Sequence, residues 1–323
     1  MERGTDVSRA AAVLAGGGLV AFPTETVYGL GADAASEVAT ARIFAAKGRP
    51  ANHPLIVHLA DREMLDDWAI EIPPAARQLA RAAWPGPLTL ILQKSARVSA
   101  AATGGAATVG LRVPAHPVAQ ALLRAFGGGV AAPSANRFGA VSPTRAERVA
   151  SDLGDSIDYL LDGGPCDVGV ESTIVDLSRG RPVLLRPGGF TREALEAIVG
   201  PLAAPDDDAP AAPGTLASHY APRAIVIAVS PDEVPATVAA TPGKLAVLAQ
   251  TSAFDAWGPL PGVLAIRLAD DPVDMAKLLY GALRDLDRAG VDVVIAALPP
   301  AAGVGEAVGD RLRRAAGPRR DAK

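Results

Sequence analysis

Residues 47–59 read "KGRPANHPLIVHL", and they pass from the end of one helix into an apolar strand. The preceding residues, from Ser36 onward, have the spacing of a helix that must end before Pro50. The run "PLIVHL" (54–59) then predicts a strand. A helix followed closely by an apolar strand, with cations and histidines between them, indicates an α/β fold that carries its chemistry in loops.

Outward from this stretch, the first 204 residues continue to alternate short apolar runs with helical patterns. Strands are predicted at 19–22, 88–93, 108–114, 172–177 and 182–186, and helices at 7–17, 61–69, 74–84, 116–127 and 191–200. In "SPTRAERVASDLG", Ser142 is predicted as the N-cap of another helix and Pro143 as its first residue. We therefore predict a large, twisted mixed-sheet domain spanning 1–204.

The composition changes after this domain. The stretch "PLAAPDDDAPAAPGTLASHYAPRA" (201–224) contains five prolines and three consecutive aspartates, which predicts a semi-extended linker over 205–222. Residues 223–323 then alternate apolar strands with helices, which predicts a small, mainly parallel, Rossmann-like sheet. Its first strand is not followed by GxGxxG, so we do not expect it to bind a dinucleotide.

Composition and charge exclude several classes of protein. The 323 residues are 49% hydrophobic, but no uninterrupted apolar run approaches the length of a membrane span, and the N-terminus does not have the pattern of a signal peptide. A single cysteine excludes a disulfide framework, and a cytoplasmic location is expected. Residues 1–204 carry 19 Lys and Arg against 20 Asp and Glu, so stable binding to a nucleic-acid backbone is not expected.

Polar residues gather at the ends of the predicted strands. The segment "PTETVYGLG" (23–31) follows one strand and fits either a binding loop or an ordinary turn. Arg112 lies inside an apolar strand, where it is either paired within the protein or bound to a ligand. Lys47 and Arg49 suit a helix C-terminus, but together with His53 and His58 they also indicate a polyanion such as a triphosphate.

Other catalytic patterns are missing from the sequence. There is no HExxH motif, and His53 and His58 lack partners at metal-ligand spacing, so no metal site is predicted. The chain also lacks a GxSxG elbow and a GxxxxGK[ST] loop. Cys166 has no evident partner and is expected to be a small packed residue rather than a nucleophile.

Seven motifs, in order, carry a resemblance to a known family. They are "FPTETVYGLG", "KGRPANHPLIVH", "PGPLTLIL", "GLRVPAH", "APSANRFGAVSPT", "ESTIVD" and "LLRPG". In this order they resemble the YrdC-type threonylcarbamoyl-AMP synthases. The segment "PGTLASHYAP" and the domain after it are similar to the two-domain form of that family. The resemblance covers essentially the whole chain.

The resemblance implies an ATP-dependent nucleotidyltransferase. Such an enzyme joins L-threonine, bicarbonate or carbon dioxide, and ATP into threonylcarbamoyl-AMP and releases pyrophosphate. The product feeds the threonylcarbamoyladenosine modification next to the anticodon of tRNA, through a separate tRNA threonylcarbamoyl transferase complex. By this similarity L-threonine would be held by Thr26, His58, Arg112, Ala132 and Ser172. ATP would contact Arg49, His53, Thr108, Ser134, Ser142, Arg186 and, from the linker, Tyr220.

The implied mechanism needs no protein nucleophile. A carbamate formed on the threonine amine attacks the α-phosphate, and the protein positions the groups and stabilises charge. We assign this catalytic role to Lys47 and Arg49, with Mg²⁺ carried by ATP rather than by a protein cage. The linker is interpreted as a lid over the active site, against the alternative of a plain tether.

The sequence disfavours two other functions. A carbamoyl-adenylate transferase subunit of the hydrogenase-maturation type shares this kind of domain, but it also needs zinc-finger and acylphosphatase-like regions for which this chain has no room. A non-enzymatic RNA-binding module is disfavoured by the charge balance and by an aromatic content of only 4%.

Overall fold

The computed structural model describes residues 1–318, which form two compact units. The first unit contains Met1–Phe138, Ser142–Asp167 and Glu171–Thr215. The second contains the described residues from Leu216 to Pro318 together with two short segments, Gly139–Val141 and Val168–Val170. Within the described residues, no helix combines the length and the apolar character needed to cross a membrane.

The first unit is built on a mixed sheet of eleven strands, which confirms the predicted fold class. Its strands are β1 (Glu2–Gly4), β2 (Val20–Phe22), β3 (Gly29–Asp33), β4 (Ile56–His58), β5 (Ala69–Ile70), β6 (Leu88–Lys94), β7 (Thr108–Arg112), β8 (Val130–Ala131), β9 (Tyr159–Leu161), β10 (Thr173–Asp176) and β11 (Val183–Arg186). They lie in the order β1-β9-β2-β3-β8-β4-β7-β6-β10-β11, and β5 pairs with β6.

Eight helices accompany this sheet. They are α1 (Val7–Ala15), α2 (Glu37–Lys47), α3 (Leu65–Trp68), α4 (Pro74–Ala83), α5 (Ala100–Thr103), α6 (Pro117–Phe126), α7 (Ala146–Leu153) and α8 (Arg192–Val199). Helix α2 has the predicted ends: the Ser36 side chain accepts a hydrogen bond from the N–H of Ala39, and Gly48 ends the helix with φ of 64°.

The prediction that Ser142 caps a helix was wrong. Helix α7 begins at Ala146, four residues later, and its N-cap position is Arg145, whose side chain makes no capping bond. The hydroxyl of Ser142 donates instead to the Glu171 carboxylate. The Ser-Pro pair resembled a helix start locally, but a partner distant in sequence determines what this serine does.

The second unit contains a four-stranded, fully parallel sheet, which confirms the small Rossmann-like architecture. Its strands are β12 (Ile225–Val229), β13 (Leu245–Gln250), β14 (Val263–Leu268) and β15 (Val293–Ala297), and they lie in the order β12-β15-β13-β14. Its helices are α9 (Val234–Ala240), α10 (Thr251–Trp257), α11 (Pro272–Ala289) and α12 (Val304–Ala315). The short helix α10 was not predicted from the sequence.

Candidate functional site

One face of the first unit's sheet carries several residues of the predicted site. In the strand register, His58 pairs with Arg112, Ile56 with Gly110, and Ile91 also with Gly110. Since registered partners on neighbouring strands point to the same side, these side chains share one face. Strands β10 and β11 extend the same face, because Thr89 pairs with Ile174 and Ile174 with Arg186.

A narrow cleft with a free volume of only about 10 Å³ opens on this face. Its walls are formed by Pro54, Leu55, Ile56, Thr89, Ile91, Thr108, Gly110, Ile174, Ala211 and Pro213. Gly110 lies on the floor, where a Cβ atom would stand 3.2 Å from Cγ2 of Thr89. A glycine inside a strand at such a point is typical of a place where another group approaches the backbone closely. Thr108, a predicted ATP contact, lines this cleft.

Arg112 is buried and held on three sides. Its Nε donates to the Gly86 carbonyl at 3.2 Å, and Nη1 donates to Oγ1 of Thr26 at 3.0 Å. Its Nη2 lies 2.7 Å from Oε1 of Glu25 but without the alignment of a hydrogen bond. Within residues 1–318 this Nη2 has no hydrogen-bond acceptor. The guanidinium is therefore fixed in place and retains donor capacity for a ligand.

Glu25, from the segment "PTETVYGLG", is the ionic partner of Arg112. Its side chain is 9% exposed, and its Oε2 accepts a hydrogen bond from the N–H of Ala115 at 3.0 Å. Arg112 is therefore paired within the protein, and its strand register places it on the same sheet face as Gly110, which lines the cleft. A bound carboxylate would thus meet a guanidinium that Glu25 already holds in place and partly neutralises.

His58 lies next to Arg112 on the adjacent strand. Its side chain is buried, and its Nδ1 makes no hydrogen bond to any residue that the structure describes. Burial, and next the positive charge of Arg112, lower the pKa of His58 from 6.5 to about 3. The imidazole is therefore neutral at physiological pH, with one nitrogen that donates a hydrogen bond and one that accepts. The accepting nitrogen can bind a neutral or cationic donor group of a ligand.

The lowered pKa of His58 predicts a loss of stability in mild acid. The unfolded chain binds a proton at His58 near pH 6.5, whereas the folded chain does not bind it until about pH 3. Stability is therefore full above pH 6.5 and falls through the window below it, by about 2 kcal/mol between pH 6.5 and about pH 5. Urea unfolding of His58→Gln near pH 7.5 and pH 5 should show a pH dependence that is smaller by this amount. A variant with the same pH dependence as the parent chain would contradict the assignment.

Ser172 and Arg186 form a second group on this face. The Ser172 carbonyl accepts hydrogen bonds from Nε and Nη2 of Arg186 at 3.1 and 2.8 Å. The Ser172 hydroxyl oxygen lies 2.8 Å from Oγ1 of Thr89. Nη1 of Arg186 donates to the Pro213 carbonyl at 2.8 Å. Ala132 belongs to the same region, because its N–H donates to the Ile56 carbonyl at 2.8 Å.

Lys47 holds the turn that contains Ser134. Its ammonium donates to the carbonyls of Ser134 and Asn136, and its own carbonyl accepts from the N–H of Phe138. Burial, and next the charge of Arg49, lower the pKa of Lys47 well below its ordinary value. The structure thus gives Lys47 two carbonyl partners, and its contact with phosphate stays a prediction.

Arg49 and His53 meet around one aromatic ring. The Arg49 guanidinium lies 5.6 Å from the centre of the Phe138 ring, and the His53 ring packs edge-on to the same ring at 5.4 Å. Nη2 of Arg49 also donates to the Pro54 carbonyl at 3.0 Å. Two predicted ATP contacts are thus brought together at the entrance to strand β4.

Ser142 and Glu171 form a buried hydrogen-bonded pair. Oγ of Ser142 donates to Oε1 of Glu171 at 2.7 Å, and both side chains are buried. Glu171 immediately precedes Ser172 in the "ESTIVD" motif, but the sequence analysis assigned a role only to the serine. The one sequence signal for Glu171 was its place at the start of that motif.

Tyr220 is the one predicted site residue that belongs to the second unit. It has φ of 61°, a rare backbone conformation for a residue other than glycine. Its ring is buried, stacks on Tyr280 at 5.8 Å and lies 5.1 Å from the guanidinium of Arg311. These contacts hold the tyrosine within its own unit, and its contact with ATP stays a prediction.

Dedicated metal binding was tested against the carboxylates of the site. No group of three or more His, Cys, Asp or Glu side chains suited to a metal ion occurs within residues 1–318. Glu25 is paired with Arg112, and Glu171 accepts from Ser142. Both of these carboxylates are thus already engaged by protein groups.

Comparisons with known proteins match both units. Residues 12–188 match the Sua5–YciO–YrdC family, described as "Telomere recombination", and residues 190–317 match the "Threonylcarbamoyl-AMP synthase, C-terminal domain". The chain is 44% identical to a threonylcarbamoyl-AMP synthase of Pyrococcus abyssi, covering 95% of this chain and 93% of the relative, and 42% identical to one of Bacillus subtilis, covering 97% and 93%. A crystal structure of P. abyssi Sua5 complexed with L-threonine matches with a TM-score of 0.89 and 42% identity, covering 98% of this chain and 96% of that one.

Proposed function

The chain belongs to the Sua5–YciO–YrdC family of threonylcarbamoyl-AMP synthases, and from this premise we propose how its residues carry out the reaction. The enzyme joins L-threonine, bicarbonate and ATP into threonylcarbamoyl-AMP and releases pyrophosphate. The product supplies the threonylcarbamoyladenosine modification of tRNA. The chain is accordingly a nucleotidyltransferase.

One observation carries the assignment of the amino-acid site. Two buried polar atoms, Nη2 of Arg112 and Nδ1 of His58, have no hydrogen-bond partner in the described part of the chain. They lie on adjacent strands in register, on the face that also carries the cleft. Nη2 of Arg112 is ion-paired with Glu25 but makes no aligned hydrogen bond, so a ligand acceptor would add a hydrogen bond to an existing ion pair, and a ligand group that bonds Nδ1 of His58 would satisfy a buried polar atom. An amino acid offers a carboxylate for the arginine and an amine or hydroxyl for the histidine.

The remaining L-threonine contacts are proposed at the edges of this pair. The Thr26 hydroxyl accepts a hydrogen bond from Arg112, and the N–H of Ala132 donates to the Ile56 carbonyl. Ser172 immediately precedes β10, and its hydroxyl contacts Thr89 on β6. For ATP we propose Arg49, His53, Thr108, Ser134, Ser142 and Arg186 of the first unit, and the family resemblance adds Tyr220. Arg49 and Arg186 provide the positive charge that a triphosphate requires.

The proposed chemistry is positioning with charge stabilisation. The threonine amine adds to carbon dioxide, a carbamate oxygen attacks the α-phosphate, and pyrophosphate leaves in line. Arg49 stabilises the negative charge that develops on the pyrophosphate leaving group. Lys47 fixes the turn that contains Ser134, which is a proposed ATP contact. Mg²⁺ would arrive with the phosphates of ATP and supply further charge neutralisation.

The setting of the enzyme is also proposed. We expect it to act in the cytoplasm and to pass its labile product to a tRNA threonylcarbamoyl transferase complex. The first 204 residues have a formal charge of 19 − 20 = −1, which suits an enzyme that works on small molecules and leaves contact with tRNA to another protein.

Pyrophosphate release by the purified chain tests this function. With ATP, Mg²⁺ and bicarbonate present, release should depend on L-threonine and should fall when bicarbonate is removed. Substituting L-serine for L-threonine measures how strongly the threonine methyl group is recognised. Release of pyrophosphate at the same rate without threonine would contradict the proposal.

Thr89→Val tests the arrangement around Ser172. The substitution keeps the shape of the side chain but removes the hydroxyl that lies 2.8 Å from Oγ of Ser172. Because Ser172 loses one fixed hydrogen bond, we expect the KM for L-threonine to rise about fivefold while kcat changes little. Steady-state kinetics would measure this, with Thr40→Val as control, since Thr40 is buried but donates to the Asp33 carbonyl outside the cleft. An unchanged KM would remove Ser172 from the amino-acid site.

A further inference from the structure

The chain of the first unit passes into the second unit twice and returns each time. Gly139–Val141, the first inserted segment, and Val168–Val170, the second inserted segment, belong to the second unit, although the residues on both sides of them belong to the first. The first inserted segment begins immediately after Phe138, and the second ends two residues before Ser172. Whatever fixes an inserted segment therefore also restricts a neighbouring residue of the first unit.

A side chain of helix α11 holds the first inserted segment. Nη2 of Arg284, on this helix, donates a hydrogen bond to the carbonyl of Val141, whose own side chain is buried. At the other end of the segment, the Gly139 carbonyl accepts from the N–H of Ala221 at 3.1 Å. Both ends of this short segment are thus bound within the second unit.

The second inserted segment lies against the backbone of the same helix. Gly169 has φ of 82°, and a Cβ atom at this position would stand 2.4 Å from the Ala276 carbonyl oxygen and 2.4 Å from Cα of Lys277. Only glycine suits both this conformation and this approach. The next residue, Val170, is fully buried. Helix α11 therefore contacts both inserted segments.

Each inserted segment adjoins a residue that contacts one arginine of the proposed ATP site. The ring of Phe138, before the first segment, lies 5.6 Å from the guanidinium of Arg49. The carbonyl of Ser172, after the second, accepts hydrogen bonds from Nε and Nη2 of Arg186. Consecutive Cα atoms are only about 3.8 Å apart, so a fixed segment restricts these neighbours and, through them, the two arginines.

Resting on the proposed function, in which Arg49 and Arg186 bind ATP, we infer that helix α11 positions these two arginines through the inserted segments. Arg284 and Gly169 are the positioning residues, and they act on ATP through the residues that flank the segments. The second unit thus influences nucleotide binding through the backbone of the first unit.

Steady-state kinetics of the full chain test the role of Arg284. Threonine-dependent pyrophosphate release is measured with ATP and L-threonine varied in turn. Arg284→Met keeps the length of the side chain but removes the donor to the Val141 carbonyl. The KM for ATP should rise about tenfold, because a displaced binding group no longer meets its partner, while the KM for L-threonine stays close to that of the parent chain.

Two readouts separate positioning from a structural role. Loss of folded protein alone would lower kcat in proportion to the folded fraction and leave the KM for ATP unchanged. Arg284→Lys, whose ammonium can donate to the same carbonyl, should recover most of the ATP affinity that Arg284→Met loses. Arg288→Met is the matched control, since Arg288 is exposed on the same helix and pairs with Asp285, and it should keep the parent KM values.

Gly169→Ala tests the second inserted segment independently. The added methyl group meets the backbone of α11, so the segment must shift. The KM for ATP should rise as in Arg284→Met, and the KM for L-threonine should rise with it, because Ser172 is also a proposed threonine contact. Gly180→Ala is the control: Gly180 has φ of 78° but no atom within 4 Å of an added Cβ, so it introduces backbone strain without a collision. Thermal unfolding of every variant measures the folded fraction, and Arg284→Met carries the test if Gly169→Ala fails to fold.

Two results would overturn the inference and leave the proposed function in place. One is an unchanged KM for ATP in the folded variants at Arg284 and Gly169. The other is an equal rise in this KM in the controls at Arg288 and Gly180, which would show a general effect of lowered stability. A parent chain that releases no pyrophosphate with ATP and L-threonine would instead contradict the proposed function itself.

Discussion

Arg112→Gln is expected to abolish most threonine-dependent pyrophosphate release. The substitution removes the cation that faces the amino-acid carboxylate, and kcat/KM for L-threonine should fall by about 100-fold or more. It also leaves the buried carboxylate of Glu25 without its partner at 2.7 Å. Loss of one member of a buried ion pair costs about 3–5 kcal/mol, so urea unfolding should show a clearly less stable chain.

A double variant separates the two effects of this substitution. In Glu25→Gln/Arg112→Gln both charges are gone, so the uncompensated charge that destabilises the single variant is absent, and most of the lost stability should return. Use of L-threonine should not return with it. If the double variant regained activity together with stability, Arg112 would have a structural role alone, and another residue would have to bind the carboxylate.

Arg49→Ala is expected to have a comparable effect on the use of ATP. The guanidinium lies beside Phe138 and the Pro54 carbonyl, at the entrance to strand β4, where the triphosphate is proposed to bind. Removal of a charged donor that acts on the transition state lowers kcat/KM by about 100-fold. Arg49→Lys keeps the charge but loses the planar fork, so it should recover only part of the activity.

Arg42→Ala is the matched control for Arg49. Arg42 lies on helix α2, seven residues before Arg49, but it is exposed and pairs with Asp158 at 2.8 Å. Its loss should leave the kinetics close to those of the parent chain, since exposed ion pairs contribute little. Equal kinetic effects of the two substitutions would indicate that Arg49 acts through the stability of the helix rather than through phosphate.

Local signals in the sequence predicted most of the fold. Ser36 and Gly48 mark the ends of helix α2 because capping depends on a few adjacent residues. Strand β9 was missed, since "YLL" is three residues long and its pairing with β1 and β2 depends on segments more than 100 residues away. The incorrect N-cap assignment at Ser142 has the same origin, because its partner Glu171 is 29 residues further along the chain.

The candidate site was predicted as a set of residues but not as a network. Arg112 and His58 could be singled out because a charge or a histidine in an apolar strand is unusual. Glu25 and Glu171 could not, since acidic residues in loops are usually solvated and only the fold brings them to Arg112 and Ser142. Strand register, which sequence periodicity alone does not provide, placed His58 beside Arg112.

The bare floor of the cleft has a consequence for the folding of the chain. Glycine loses more conformational freedom on folding than any other residue, and inside a strand it costs about 0.5–1 kcal/mol relative to alanine. Gly110 lies within β7, and a methyl group there would stand 3.2 Å from Thr89, closer than most such contacts. Strand β7 thus retains a glycine that lowers the stability of the fold. In return, the backbone of β7 at Gly110 faces the cleft without a side chain to cover it.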